Sequence, residues 1–110
     1  MNKNMPIRLE YKKFNALVMT KESPEIKDIF IGYNNAGQEE KKVTIEFTIN
    51  DRTKALVMDY LGPYIIKADS RMLLGQEYVL SKKLAEKKGL VLRLKLLDKG
   101  NIIDETEAAL

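Results

Sequence analysis

The sequence predicts a single α+β domain spanning residues 1–110, in which a mainly antiparallel sheet of about five to six strands packs with one or two helices. Hydrophobic residues make up 45% of the chain, enough to form a core, and charged residues make up 32%. Several short runs alternate apolar and polar residues, as half-buried strands do. Two longer runs repeat apolar residues at helical spacing and end at a glycine.

The N-terminal part predicts a strand followed by a helical turn. Residues 7–12 alternate apolar and charged side chains, and the alternation continues over 14–18 after a slip near Lys13, where a bulge would account for the two adjacent lysines. Ser23 can cap a helix with Pro24 at its first position. This segment therefore predicts one short helical turn.

Two β-prone runs follow, at residues 29–34 and 41–50. The second has the cleanest alternation in the chain, with Val43, Ile45 and Phe47 on one face. The segment between the two runs is rich in turn-forming residues and ends with two glutamates. We expect a hairpin closed by a mobile, acidic loop.

Residues 50–63 predict a helix with defined ends. Asn50 or Asp51 can cap its start, and Gly62 with Pro63 would stop it. Its apolar residues share one broad helical face: Leu56, Val57, Tyr60 and Leu61.

The segment from Ser70 to Lys88 allows two interpretations. A single helix places its leucines on one side and most of its lysines on the other, although Gly75 in its interior costs about 1 kcal/mol relative to alanine. The alternative breaks at Gly75, makes "EYVLS" a strand and leaves a short helix from Lys82 to Lys88. We favour the single helix.

The C-terminal part predicts a hairpin. The leucines of "LVLRLKLL" lie two residues apart and define one face: Leu90, Leu92, Leu94 and Leu96. "DKGN" predicts a tight turn and "IIDE" a return strand, after which "TEAAL" is expected to fray.

Composition excludes several kinds of catalysis. The chain contains neither cysteine nor histidine, so disulfides, thiolate or imidazole metal sites and Ser-His-Asp or Cys-His catalysis are ruled out. No activated nucleophile or pair of carboxylates stands out by spacing. We expect a protein that is not an enzyme and that uses no cofactor or metal.

The positive charge is segregated along the chain. The net charge is +3, yet residues 1–21 carry +4 and residues 63–100 carry +5. Clustered cations attract phosphate, so these segments predict a surface for nucleic acid or for a partner protein. Its candidate residues are Lys82, Lys83, Lys87, Lys88, Arg93 and Lys95, with Arg71, Lys12 and Lys13 as extensions.

The sequence therefore favours a small non-enzymatic regulatory protein that contacts RNA, DNA or a nucleoprotein through charge, with RNA or shape favoured over duplex sequence because most of the cations are lysines. The alternative is a protein-binding inhibitor of phage or plasmid type, for example an anti-CRISPR-like antagonist of a nucleic-acid-handling complex. No run is long enough for a membrane span and the N-terminus lacks a secretory signal, so we expect a cytoplasmic protein without membrane contact. The leucine-rich strands would also allow a homodimer.

Overall fold

The computed structural model describes residues 13–110 as two antiparallel sheets packed face to face. The first sheet has the order β1-β2-β5 and the second β4-β3-β6-β7. The elements are β1 (Phe14–Thr20), β2 (Ile26–Asn35), β3 (Lys41–Asn50), β4 (Ala55–Ile66), β5 (Ser70–Val79), α1 (Lys82–Ala85), β6 (Val91–Asp98) and β7 (Asn101–Ala109). The prediction of an α+β fold is wrong, because the only helix in this part of the chain has four residues. It is also too short and too polar to cross a membrane.

The seven strands found within residues 13–110 form two sheets with the architecture of an immunoglobulin-like sandwich, with one difference in strand order. In the constant-type immunoglobulin domain the fourth strand pairs with the fifth. Here β4 pairs with β3 in the opposite sheet. As a result, among the strands of residues 13–110, β5 ends its sheet and has no neighbouring strand on one of its edges.

The core lies between the two sheets and is built by the runs that alternate most strictly. All four inward residues of β3 are buried, and the buried leucine face expected around β6 is confirmed. In β2 the same role falls to Ile29, Ile31 and Tyr33. The rings of Phe47 and Tyr78 meet across the core with centroids 5.2 Å apart.

The helix predicted for residues 50–63 is wrong, because this segment forms the turn before β4 and most of the strand itself. Val57 pairs with Ile49 and Leu61 with Ile45, so these two side chains lie on the core side. Residues 56, 57, 60 and 61 fit a helical face by spacing alone. Pairing with the long apolar strand β3 outweighs that pattern, since strand preference depends largely on the neighbouring strands.

The single helix predicted from Ser70 to Lys88 is also wrong. Its first ten residues form β5, which pairs with β2 without a register shift. Gly75 lies opposite Phe30, whose ring edge would be 3.6 Å from a Cβ at that position. The broken alternative is closer, although the strand already begins at Ser70 and the helix is confined to Lys82–Ala85.

The predicted hairpin of β2 and β3 is wrong as well, because the two strands lie in different sheets. Residues 36–40 carry the chain from one sheet to the other. Asn35, only 2% exposed, fixes this crossing. Its Nδ2 donates to the carbonyl oxygens of Glu39, Ile66 and Lys67 at 3.0 to 3.1 Å, and its Oδ1 accepts from the N–H of Gly37 at 3.1 Å.

The C-terminal hairpin is confirmed and extends further than expected. Lys99 and Gly100 both adopt positive φ angles, of 54° and 81°, as a two-residue hairpin turn requires. The expected fraying of "TEAAL" is wrong, since β7 pairs with β6 as far as Ala109 opposite Val91.

The helical turn expected after Ser23 is a simple turn, in which the N–H of Ile26 donates to the Ser23 carbonyl. The strand predicted over 7–12 lies outside the described residues.

Candidate nucleic-acid interface

The connections between strands collect at the two ends of the sandwich. Strand register places connections 21–25, 51–54 and 80–90 at one end, which we call the basic end. Connections 36–40, 67–69 and 99–100 lie at the other, which we call the opposite end. The basic-end connections carry seven Lys or Arg and four Asp or Glu, a net of +3; those of the opposite end carry two and three, a net of −1. The connections at the two ends of the sandwich therefore differ in net charge.

The connection from β5 to β6 supplies most of this positive charge. Leu80 and Leu90, each 4% exposed, anchor its two ends in the core, and Leu84 and Ala85 pack against the core between them. The Ser81 hydroxyl caps α1 by accepting from the N–H of Leu84 at 3.2 Å. The four predicted lysines are all exposed, and within residues 13–110 none forms a salt bridge: Lys82, Lys83, Lys87 and Lys88.

The turn from β3 to β4 adds two cations that the sequence interpretation missed. Arg52 and Lys54 are exposed there, next to the lysine connection. The turn is held by Oδ1 of Asp51, which accepts from the Thr53 N–H at 2.7 Å, the Thr53 hydroxyl at 2.8 Å and the Lys54 N–H at 2.9 Å. The motif "NDRTK" carried the signal for this turn, because Asp often bonds to the backbone two residues on. This turn was missed because residues 50–63 were predicted to form a helix.

The same three hydrogen bonds lower the pKa of Asp51 to about 2, with a further small contribution from the charge of Lys87. Since the pKa in the unfolded chain is near 3.8, the charged carboxylate stabilises the fold above pH 3.8, and this contribution is lost as the pH falls through about 2. We therefore expect Asp51→Asn to have a lower Tm than the wild type near neutral pH. Between pH 4 and pH 2, the Tm of the variant should fall by less than the Tm of the wild type. Thermal unfolding followed by circular dichroism measures both. Parallel losses of Tm in the two proteins would contradict the prediction.

Arg93 and Lys95 lie on the outer face of the four-stranded sheet, on the side of β6 away from the core. Each is next to an acid on a neighbouring strand. The guanidinium of Arg93 lies 2.7 Å from Oε2 of Glu107, and Nζ of Lys95 lies 3.8 Å from Oε2 of Glu46. This face is open to solvent, but its cations alternate with anions and it does not form a basic strip.

The remaining predicted cations lie elsewhere. Arg71 is on the outer face of the three-stranded sheet, paired in register with Asn34 near the opposite end. Lys13 is also near that end, just before β1, where its carbonyl accepts from the N–H of Asn34 at 2.7 Å. Lys12 lies outside the described residues. The structure therefore brings together the four lysines of the β5–β6 connection and separates them from the other predicted residues.

The opposite end has a different character. A groove of about 640 Å³ there is lined by both acids and lysines, including Glu39, Lys42 and Asp98. Burial, assisted by the charges of Asp104 and Asp98, raises the pKa of Tyr33, so this phenol is protonated at neutral pH. Within residues 13–110 no three carboxylates lie close enough together to hold a metal ion.

Comparison with known proteins gives a fold and no family. No protein-family model matches the chain, and no curated protein does. Several solved structures share its fold, including the following two. A protein described as a β-galactosidase from Bacteroides fragilis superposes with a TM-score of 0.67 at 16% identity, over 90% of this chain and 17% of its own. The Pseudomonas fluorescens alkylpurine DNA glycosylase AlkC, bound to DNA containing an abasic site analog, gives a TM-score of 0.51 at 10% identity, over 88% of this chain and 30% of its own.

The chain therefore spans less than a third of either protein. At these identities the likeness concerns the sandwich alone, which serves many unrelated functions.

Proposed function

We propose that this protein is a non-enzymatic binding module that contacts the phosphate backbone of a nucleic acid, with RNA favoured, through the basic end. The observation that carries the proposal is the group of four exposed lysines in the β5–β6 connection, none of which is paired with an acid in the described part of the chain. Lysines that bind phosphates displace the counterions condensed on the nucleic acid, and the release of these counterions drives binding. Arg52 and Lys54 extend the same surface.

The geometry also favours backbone contact over base recognition. The basic end is built from turns and one helical turn, none of which is long enough to enter a groove as a recognition helix. Its free cations are mostly lysines, which act as point charges and make no bidentate contacts with guanine. We therefore expect binding with little sequence preference and a steep dependence on salt.

The test compares two variants that carry the same net charge. Changing Lys82, Lys83, Lys87 and Lys88 to Gln neutralises four positive charges at the basic end. Lys42→Glu with Lys67→Glu reverses two charges away from that end, so both variants lower the net charge from +3 to −1. Fluorescence anisotropy with a single-stranded RNA and a DNA duplex of mixed sequence should show at least a tenfold loss of affinity for the first variant, and a shallower salt slope. The second variant should lose much less. Equal losses would show that net charge matters and the basic end does not.

A third variant, Arg93→Gln with Lys95→Gln, separates the basic end from the outer face of β6. Because both cations already lie beside acids, we expect its affinity for the same probes to change by less than about threefold. A loss as large as that of the four-lysine variant would move the proposed contact surface to the sheet face.

A protein-binding inhibitor is the second candidate, and exposed apolar side chains on β4 favour it. Met58, Tyr60 and Ile65 are 54% to 64% exposed on the outer face of this strand. Aromatic residues and methionine are enriched at protein interfaces. Capture from a lysate with and without nuclease separates the two functions, since only a protein partner would survive the nuclease.

A further inference from the structure

The outer edge of β5 differs from the other three edges of the sandwich. β4 contains Pro63, a register shift and the inward-pointing acid Asp59, which lies opposite Phe47. β7 has a register shift and another inward-pointing acid, Asp104. β1 is only seven residues long and packs beside β7. Bulges, prolines, short strands and inward charges all prevent edges from pairing with another molecule.

β5 has none of these features. It runs for ten residues in unbroken register with β2, and within residues 13–110 it pairs with no other strand. It contains no proline. No charged residue occupies the positions whose register puts them on the core side of the sheet, which are Ser70, Met72, Leu74, the exposed Gln76 and Tyr78. Every second N–H and C=O of such a strand points away from its one neighbour and can pair with an added strand.

We infer that two copies of this chain associate through β5, antiparallel and about a two-fold axis beside Leu74. This register places Arg71 opposite Glu77 of the second copy, and Leu73 opposite its Gly75. The two-fold symmetry forms each contact twice. The two three-stranded sheets then become one continuous sheet of six strands.

This register allows backbone hydrogen bonds between the two copies as well as the side-chain contacts. Each residue faces one that lies an even number of positions away, so the N–H and C=O groups that point outward on one copy meet outward-pointing groups on the other. A register shifted by one residue would set outward groups against groups already bonded to β2. Among the allowed registers, pairing about Leu74 brings the two opposite charges on the outer face of β5 together.

The apolar contact fits the surface of β5. Leu73 is 72% exposed and its outer-face neighbour Gly75 has no side chain. Across the two-fold axis, Leu73 would cover Gly75 and approach the ring of Phe30, which lies beside that glycine. A large side chain across from a glycine fills the gap that the glycine leaves in a sheet.

Glu77 remains available for this contact. Its Oε2 accepts from Nζ of Lys21 at 3.1 Å, in an ion pair whose carboxylate side chain is 55% exposed. Such surface pairs are weak, and a carboxylate has further lone pairs for a guanidinium.

The first experiment reverses the charge at each of the two paired positions and then mixes the two variants. Sedimentation velocity over a wide concentration range should show the wild type approaching twice the 12.6 kDa of one chain. R71E and E77R should each associate at least tenfold more weakly, because each brings like charges together twice. A mixture of the two should form heterodimers, in which both opposite-charge pairs are restored. A wild type that stays monomeric, or an R71E protein that dimerises like the wild type, would overturn the inference.

The second experiment tests the register directly. Because the chain has no cysteine, Leu74→Cys introduces one thiol, which the two-fold axis would place beside its counterpart. Mild oxidation should produce a covalent dimer of Leu74→Cys but not of the control Ile102→Cys, whose residue is exposed on β7. Equal yields of cross-linked dimer from the two variants would reject this register.

Discussion

Ile45→Ala is expected to lower the free energy of unfolding by about 3 to 4 kcal/mol. Ile45 is fully buried at the centre of β3, between Leu61 of β4 and Leu96 of β6. The change removes apolar contacts with strands on both sides, and the four-stranded sheet cannot close the resulting cavity without moving β4 or β6. The measurement is urea unfolding followed by circular dichroism.

Ile65→Ala provides a control with the same chemical change in the same sheet. Ile65 is 64% exposed on the outer face of β4, so we expect a loss within about 0.5 kcal/mol. The difference between the two isoleucines tests the assignment of inner and outer faces. Similar losses in both variants would mean that these faces are assigned incorrectly.

Asn35→Ala is expected to lower the free energy of unfolding by about 2 to 3 kcal/mol, although Asn35 is a polar residue in a crossing between sheets. Its side chain joins the β2–β3 crossing to the end of β4 through the carbonyl groups of Ile66 and Lys67. Alanine would leave the buried Ile66 carbonyl without this donor, whereas the Lys67 carbonyl would keep the bond from the Ser70 hydroxyl at 2.6 Å.

Asn35→Asp distinguishes hydrogen bonding from packing at this position. The aspartate has almost the same shape but replaces the donor Nδ2 with an oxygen that faces three carbonyl groups. We expect it to destabilise at least as much as alanine at neutral pH, whereas Asn101→Ala at the exposed start of β7 should have little effect. If Asn35→Asp proved as stable as the wild type, the donated bonds would not matter.

The strands that form the core were predictable because their environment is uniform. β3 and β6 lie in the interior of a sheet, with one face on the core and the other in solvent, so their residues alternate with period two. β4 and β5 lie at sheet edges, where apolar residues such as Met58 and Leu73 remain exposed. Exposed apolar residues disturb the alternation and add chance matches to a helical spacing. Gly75 is the residue in this segment that argues against a helix, since glycine is unfavourable in a helix interior.

The partition of strands between the two sheets could not be predicted from local pattern. A five-residue connection such as 36–40 can close a hairpin or cross a sandwich, and the flanking strands need a buried face in both cases. The observed crossing is stabilised by bonds from Asn35 to the end of β4, which lies about thirty residues further along the chain. A single sequence does not reveal that pairing.

The candidate interface was predictable in part for a similar reason. The four lysines of residues 82–88 stood out because they are adjacent in sequence. Arg52 and Lys54 join them only through the strand register, which places connections 51–54 and 80–90 at one end. Glu107 and Glu46, which lie beside Arg93 and Lys95, are likewise distant in sequence and adjacent only in the sheet.

In the β5–β6 connection, the residues that set the charge of the surface differ from the residues that stabilise the fold. Its hold on the core depends on Leu80, Leu84, Ala85 and Leu90, while its four lysines contact neither sheet core. Mutation can therefore change or even reverse the charge of this end at little cost in stability. Under selection the partner of such a protein can change faster than its architecture, and the same connection is a natural position for redirecting the protein by design.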